Sequence, residues 1–170
     1  MIQPVLQDDA FLADVALARA DAASRRLFVW WLGQSGFLTC HDGECLLFDP
    51  YLSNALTRKY AGTDKPHVRM TARVIDPARL DFVRVVTSSH THTDHFDPET
   101  LGAIFAAAAD TKLVLPAANV GVATQRLGAA AGTRLVPLAD GERATVGAFG
   151  FEAVPAAHEE RSPEFAGFVV

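Results

Sequence analysis

"SSHTHTDHFD", residues 88–97, sets three histidines and two aspartates into ten positions, and how this segment is held decides the fold. His90 and His92 stand two apart, so an extended backbone sends both imidazoles to the same side. Together they can grip one cation. Asp94 and His95 follow where the chain turns ahead of Asp97, which lets them address a neighbouring position. Zinc-like ions take imidazole nitrogen and carboxylate oxygen at about 2.0–2.2 Å, and a site needs at least three such ligands. The third histidine must come from elsewhere in the chain. His158 is the best placed, because it ends a predicted strand. A solvated polar loop is the plain alternative, and the flanking sequence argues against it.

Upstream, "DFVRVVTSSH" (residues 81–90) reads as a strand running directly into the cluster. Downstream, Asp97 caps and Pro98 opens a helix through about Ala109, followed by the strand "KLVLP", a helix near Val120 to Leu127 and the strand "RLVPL". That is a βαβαβ rhythm. "ATVGAF" and "FEAVPAAH" then form a hairpin that delivers His158.

Before the cluster, Asp8 or Asp9 can cap a helix whose apolar stripe includes Leu12, Val15, Ala16 and Ala20, ending near Arg25 and Arg26. "LFVWWLG", "FLTC" and "CLLFDP" read as three strands of a meander, the last two joined at Asp42-Gly43. That turn would face Cys40 and Cys45 across the strands, and with only two cysteines in an unexported chain the expectation is free, packed thiols. A zinc site with His41 is disfavoured because its side chain points to the opposite face. Residues 51–80 read as irregular, and residues 57–73 carry Arg58, Lys59, Lys65, Arg69 and Arg73 against Asp64 alone. This local cationic excess would suit an anionic or phosphorylated small-molecule substrate, with a solvated surface loop as the alternative.

A chain of 170 residues with 49% apolar content suits a single domain over residues 1–170, an N-terminal helix over 1–26 leading into a core over 27–170. Its formal charge of −5 speaks against nucleic acid or an anionic membrane as partner. No run approaches a bilayer span and no secretory leader is evident, so the expected address is cytoplasmic. Ser35 in "GQSG" is read as a turn residue, because Phe37 stands where a nucleophile elbow needs glycine. Trp30 and Trp31 face opposite ways on one strand, one toward the core and one partly exposed.

With these residues in hand, the chain resembles the metallo-β-lactamase-fold hydrolases, through "HTHTDH" at 90–95, "FDPYL" at 48–52 and the position of His158. "FVWWLGQSGFL" at 28–38 further resembles the ascorbate-6-phosphate-lactonase-like branch. The resemblance implies an α/β fold of the αββα-sandwich type, with His90, His92 and His158 on a first metal and Asp94 and His95 on a second. Zinc is the expected ion, with manganese or iron as alternatives. Asp49 would support the loop and fix a histidine tautomer. Asp94 would be catalytic, orienting the attacking water and shuttling its proton during hydrolysis of an ester, lactone, amide or phosphoester. Family members continue into a second half that supplies an aspartate bridging both metals and a further histidine. The expectation is therefore a truncated domain with a weak second site, doubtful activity on its own, and an exposed sheet edge favouring association with another copy. A non-catalytic metal-binding module is the competing reading, and a nuclease a third that the charge disfavours.

Overall fold

The computed structural model describes residues 1–170. A six-stranded mixed sheet runs in the order β1 (Phe28–Gly33), β2 (Gly36–His41), β3 (Glu44–Phe48), β4 (Val85–Thr87), β5 (Lys112–Pro116), β6 (Leu135–Leu138). The first three strands are antiparallel neighbours and β3 to β6 are parallel. A second, antiparallel sheet holds β7 (Arg143–Val146), β8 (Phe149–Ala157) and β9 (Arg161–Val169). Helices α1 (Asp8–Ala20), α2 (Ala55–Tyr60), α3 (Pro98–Ala107) and α4 (Val120–Leu127) complete the chain. None is long and apolar enough to cross a membrane.

Two apolar layers hold these parts together. Phe11 and Val15 of α1, Leu101 and Ile104 of α3 and Ala123 of α4 bury against Leu38, Leu47, Val86 and Leu113 on one face of the large sheet. On the other face, Leu46, Val85, Val114 and Leu138 meet Phe149, Phe151 and Ala153 of the small sheet. Alternate residues of β3, β4 and β5 therefore serve different cores, which is why these strands read as continuous apolar runs. Toward β1 the second face lacks that cover: Val29, Trp31 and Phe37 are exposed, whereas Trp30 turns inward, packs edge-on against Phe11 and donates to Asp14 at 2.8 Å.

The β4-α3-β5-α4-β6 order matches the expected rhythm, and α3 starts as expected, with the Asp97 carboxylate accepting from Glu99 N and Pro98 in the first turn. Four details differ. Gln7, not an aspartate, precedes α1, and its buried stripe is Phe11, Val15 and Ala18, because the sheet lies on that side. Helix α1 stops at Ala20, where a 3-10 turn and Arg25 at φ 55° reverse the chain before β1. Residues 51–80 are not wholly irregular, since Asn54 leads into α2.

The fourth difference is the cysteine pair, which is a disulfide rather than two free thiols. Asp42 and Gly43 both take positive φ, 49° and 79°, giving the tight two-residue turn that places Cys40 and Cys45 as direct cross-strand partners, Cα–Cα 4.2 Å. Such a non-hydrogen-bonded pair brings the side chains together on one face. His41 points elsewhere as expected, its Nδ1 3.3 Å from the Arg26 carbonyl.

Candidate metal centre

The histidine loop leaves the carboxyl end of β4, beside the carboxyl end of β3, where open α/β sheets gather ligands. Within it the rings of His90 and His92 lie 4.7 Å apart. Strand β8 ends at Ala157 and delivers the ring of His158 to 5.1 Å from His90 and 4.8 Å from His92. One ligand atom from each of the three falls within 4.8 Å of the others. Phe165 of β9 backs this triad, stacked on His158 at 5.6 Å and edge-on to His90. The large sheet thus supplies two imidazoles and the small sheet the third.

Asp49 is the anchor beneath them. It sits just after β3 at φ 39°, a conformation that costs a non-glycine residue energy and here turns its carboxylate under the loop. Oδ1 accepts from Thr87 Oγ1 at 2.8 Å and Ser89 N at 3.1 Å, and Oδ2 accepts from His95 Nδ1 at 2.8 Å and from Ser89 Oγ. Burial alone would raise the Asp49 pKa, but the hydrogen bonds from His95, Ser89 and Thr87 and the charge of His95 outweigh it, leaving the carboxyl below its usual range. His95 moves the other way: burial lowers its pKa, yet the bond to Asp49, the charge of Asp49 and that of Asp94 lift it above the usual value.

These bonds orient the rings. Ionised Asp49 only accepts, so His95 Nδ1 carries a proton and Nε2 is turned the other way, 3.8 Å from Asp94 Oδ2. The Ser89 hydroxyl spends its proton on Asp49, so its oxygen accepts from His90 Nδ1 at 3.0 Å. The His90 Nε2 lone pair is left bare. It is buried and has no hydrogen-bond partner, which is costly unless a ligand supplies one. Burial first, then the charges of His95 and His92, push the His90 pKa down to about 4, so the ring is neutral at pH 7. A neutral imidazole with an orphaned nitrogen facing two more imidazoles fits a divalent cation of the zinc type. His92 and His158 are exposed, so their rings have room to close the remaining distance.

Asp94 and His95 form a separate pair outside the triad, and of the two only His95 is bonded to Asp49. Two residues hold the loop in a way the sequence does not announce: Ser35, read there only as a turn residue, and Arg126. The Ser35 hydroxyl donates to the Asp94 carbonyl at 2.6 Å, so this turn residue between β1 and β2 fixes the loop from below. Arg126 of α4 donates to the Thr91 carbonyl at 2.6 Å. Nothing local to Ser35 signals this, because the contact spans 59 residues. His67 stays apart, packed edge-on to Tyr51 and 3.4 Å from Thr57 Oγ1.

Residues 29–168 match the sequence profile described as "Beta-lactamase superfamily domain". Over 71 residues, 42% of this chain and 14% of that protein, the sequence is 37% identical to the mitochondrial N-acyl-phosphatidylethanolamine-hydrolyzing phospholipase D of Saccharomyces cerevisiae. Among solved structures it is similar to CmlA, a diiron beta-hydroxylase from Streptomyces venezuelae, with TM-score 0.58, 22% identity, and coverage of 85% of this chain and 27% of that one. It is also similar to Igni18, a metallo hydrolase from Ignicoccus hospitalis, with TM-score 0.51, 18% identity, and coverage of 84% and 55%. At such identities the two structures share the fold with this chain. All three relatives are considerably longer than the part this chain spans.

Proposed function

Because the chain belongs to the beta-lactamase superfamily and has the metallo-β-lactamase fold, we propose that His90, His92 and His158 bind a catalytic cation in a hydrolase. Zinc is the ion we assign, with Asp94 and His95 holding a second, weaker position. When bound, such a cation supplies Lewis acidity toward water and toward the carbonyl or phosphoryl oxygen of a substrate. The reading rests above all on the buried, unpartnered Nε2 of His90 facing His92 and His158.

The protein's own groups then have distinct roles. Ser89 keeps the His90 proton on Nδ1, so its Nε2 presents a lone pair to the site, and Asp49 holds the Nδ1–H of His95 so that Nε2 is the atom turned toward Asp94. Asp94, half-exposed and fixed through its carbonyl by Ser35, accepts the proton of an attacking water and passes it to the leaving group. The bond attacked is an ester, lactone or phosphoester of a small molecule. The "FVWWLGQSGFL" segment supports a place in the lactonase-like branch.

Metal analysis after zinc loading tests the reading, alongside turnover of lactones, carboxyl esters and phosphodiesters by this chain and by a longer form. The expected result is at least one zinc per chain, lost in His90→Ala, with turnover by the longer form. Stoichiometric zinc without turnover in either form would identify a binding module instead. No zinc in the parent would overturn the assignment.

A further inference from the structure

The imidazole of His158 is exposed and stands on the turn after β8, where its backbone N–H donates to the Glu160 carbonyl at 3.2 Å. His90 is oriented through its Nδ1 by Ser89, whereas the His158 ring is held by packing, stacked on Phe165 at 5.6 Å with 23° between the planes. We propose that Asn119, on the 3-10 turn Ala117–Asn119 between β5 and α4, is a positioning residue for the metal centre: it latches β9 through the Glu164 carbonyl and so seats Phe165 where it fixes the third imidazole. This role deepens the hydrolase reading above and rests on it.

Strand β9 needs a latch because its ladder with β8 breaks at this point. The pairs Pro155–Ala166 and Ala157–Arg161 leave Ser162, Pro163, Glu164 and Phe165 opposite Ala156 alone, a bulge of the kind that re-aims a side chain beside a site. Backbone groups in the bulge must find partners outside the ladder. Asn119 Nδ2 donates to the Glu164 carbonyl at 2.9 Å, and Ala166 N donates to the Ser89 carbonyl at 3.1 Å. Phe165 lies between these two anchors. Its ring leans on His158 and, edge-on at 5.6 Å, on His90.

Asn119 is placed for a different task and does not perform it. It immediately precedes α4, where an asparagine side chain ordinarily accepts from the first turn of the helix, yet it makes no capping bond. Its amide instead crosses 45 residues to β9. The side chain is buried, and a buried amide is costly unless it is bonded, so the Glu164 carbonyl is its main compensation.

Two measurements test the latch: zinc affinity by competition titration, and the His158 ring-proton NMR signals of the metal-free protein, which a stacked Phe165 shifts upfield. Asn119→Leu removes the donor at similar volume, and Phe165→Leu removes the ring. Each should lower zinc affinity about tenfold, the low end of what losing a ligand's support costs, and each should move the His158 signals downfield. Both residues act through one ring, so the double variant should lose no more than about twofold beyond either single change, and in His158→Ala neither change should matter by more than about twofold. Phe165→Tyr keeps the ring and should match the parent in both readouts. Should Asn119→Leu not fold, Asn119→Ser, too short to reach the Glu164 carbonyl, is read in the same way. With zinc bound by the parent, unmoved His158 signals or parent-like affinity in the Asn119 variant, additive losses in the double variant, or an equal loss in His158→Ala would overturn the latch and leave the hydrolase reading intact. A parent that binds no zinc but shows the expected NMR pattern would overturn the hydrolase reading, while Asn119 would still be what sets the His158 ring.

Discussion

His95 Nδ1 lies 2.8 Å from Asp49 Oδ2, joining the loop after β4 to the end of β3 across 46 residues. The same carboxylate takes Thr87 and Ser89, so one buried anion organises the floor of the histidine cluster. Asp49→Asn keeps the shape but leaves only one acceptor oxygen, so it cannot accept from His95 on one side and from Thr87 and Ser89 N on the other at once. Loss of such an orienting partner typically lowers metal affinity about 10- to 100-fold. Competition titration against a zinc chelator should show that drop, and parent-like affinity would remove Asp49 from the metal-supporting role.

His158 reaches the triad from the small sheet and is exposed, so its loss should act on binding and not on folding. In His158→Ala we expect zinc affinity to fall at least about a hundredfold, since three protein ligands become two. The urea midpoint of the metal-free protein should barely move, within about 0.5 kcal/mol of the parent. A variant that still binds zinc like the parent would break the proposed triad.

The metal-free protein should lose stability on mild acidification. The His90 pKa is depressed from 6.5 to about 4, so below pH 6.5 the unfolded chain takes up a proton that the folded chain refuses until about pH 4. Stability therefore falls across that window. Two neighbours have other windows: the stabilisation from the raised His95 is fully present below 6.5 and fades as pH climbs through its folded value. That from the lowered Asp49 is present above 3.8 and fades at lower pH. Urea unfolding at pH 7 and pH 4.5 should show a smaller loss in His90→Asn than in the parent, and equal losses would contradict the depressed value.

The Cys40–Cys45 bond closes a very short loop, so its effect on the unfolded chain is limited. The chain-entropy relation gives about 2 kcal/mol for a loop of this size. Reduction, or the Cys40→Ala/Cys45→Ala double variant, should lower unfolding free energy by no more than about that amount. Zinc affinity should be unaffected, because both sulfurs lie in the helix-side core away from the histidines. A change in zinc affinity on reduction would show that the hairpin communicates with the site.

Much of this protein is readable along the chain, because its signals are local. Asp97 and Pro98 announce α3 and Asp42-Gly43 announces the hairpin that pairs Cys40 with Cys45, whereas His90 and His92 meet on a loop of bends rather than on the extended backbone their spacing suggests. Period and turn chemistry act within a few residues, so they survive in one dimension. The redox state of that cysteine pair is not legible in the same way, since the turn fixes that the two cysteines face each other but not whether their thiols are oxidised.

What the tertiary structure decided is which distant groups meet. The stripe of α1 is Phe11, Val15 and Ala18 because the sheet lies on that side, a choice helix periodicity leaves open. Arg69 reads as a surface cation and is instead spent on three buried carbonyls, whereas Arg126, unremarkable in sequence, faces the site. Ser35 under Asp94, Phe165 behind His158 and the Asp49–His95 bond all join separate strands. Such pairings arise only when the sheet topology sets strand ends distant in sequence side by side, and burial there shifts the protonation of the groups it encloses.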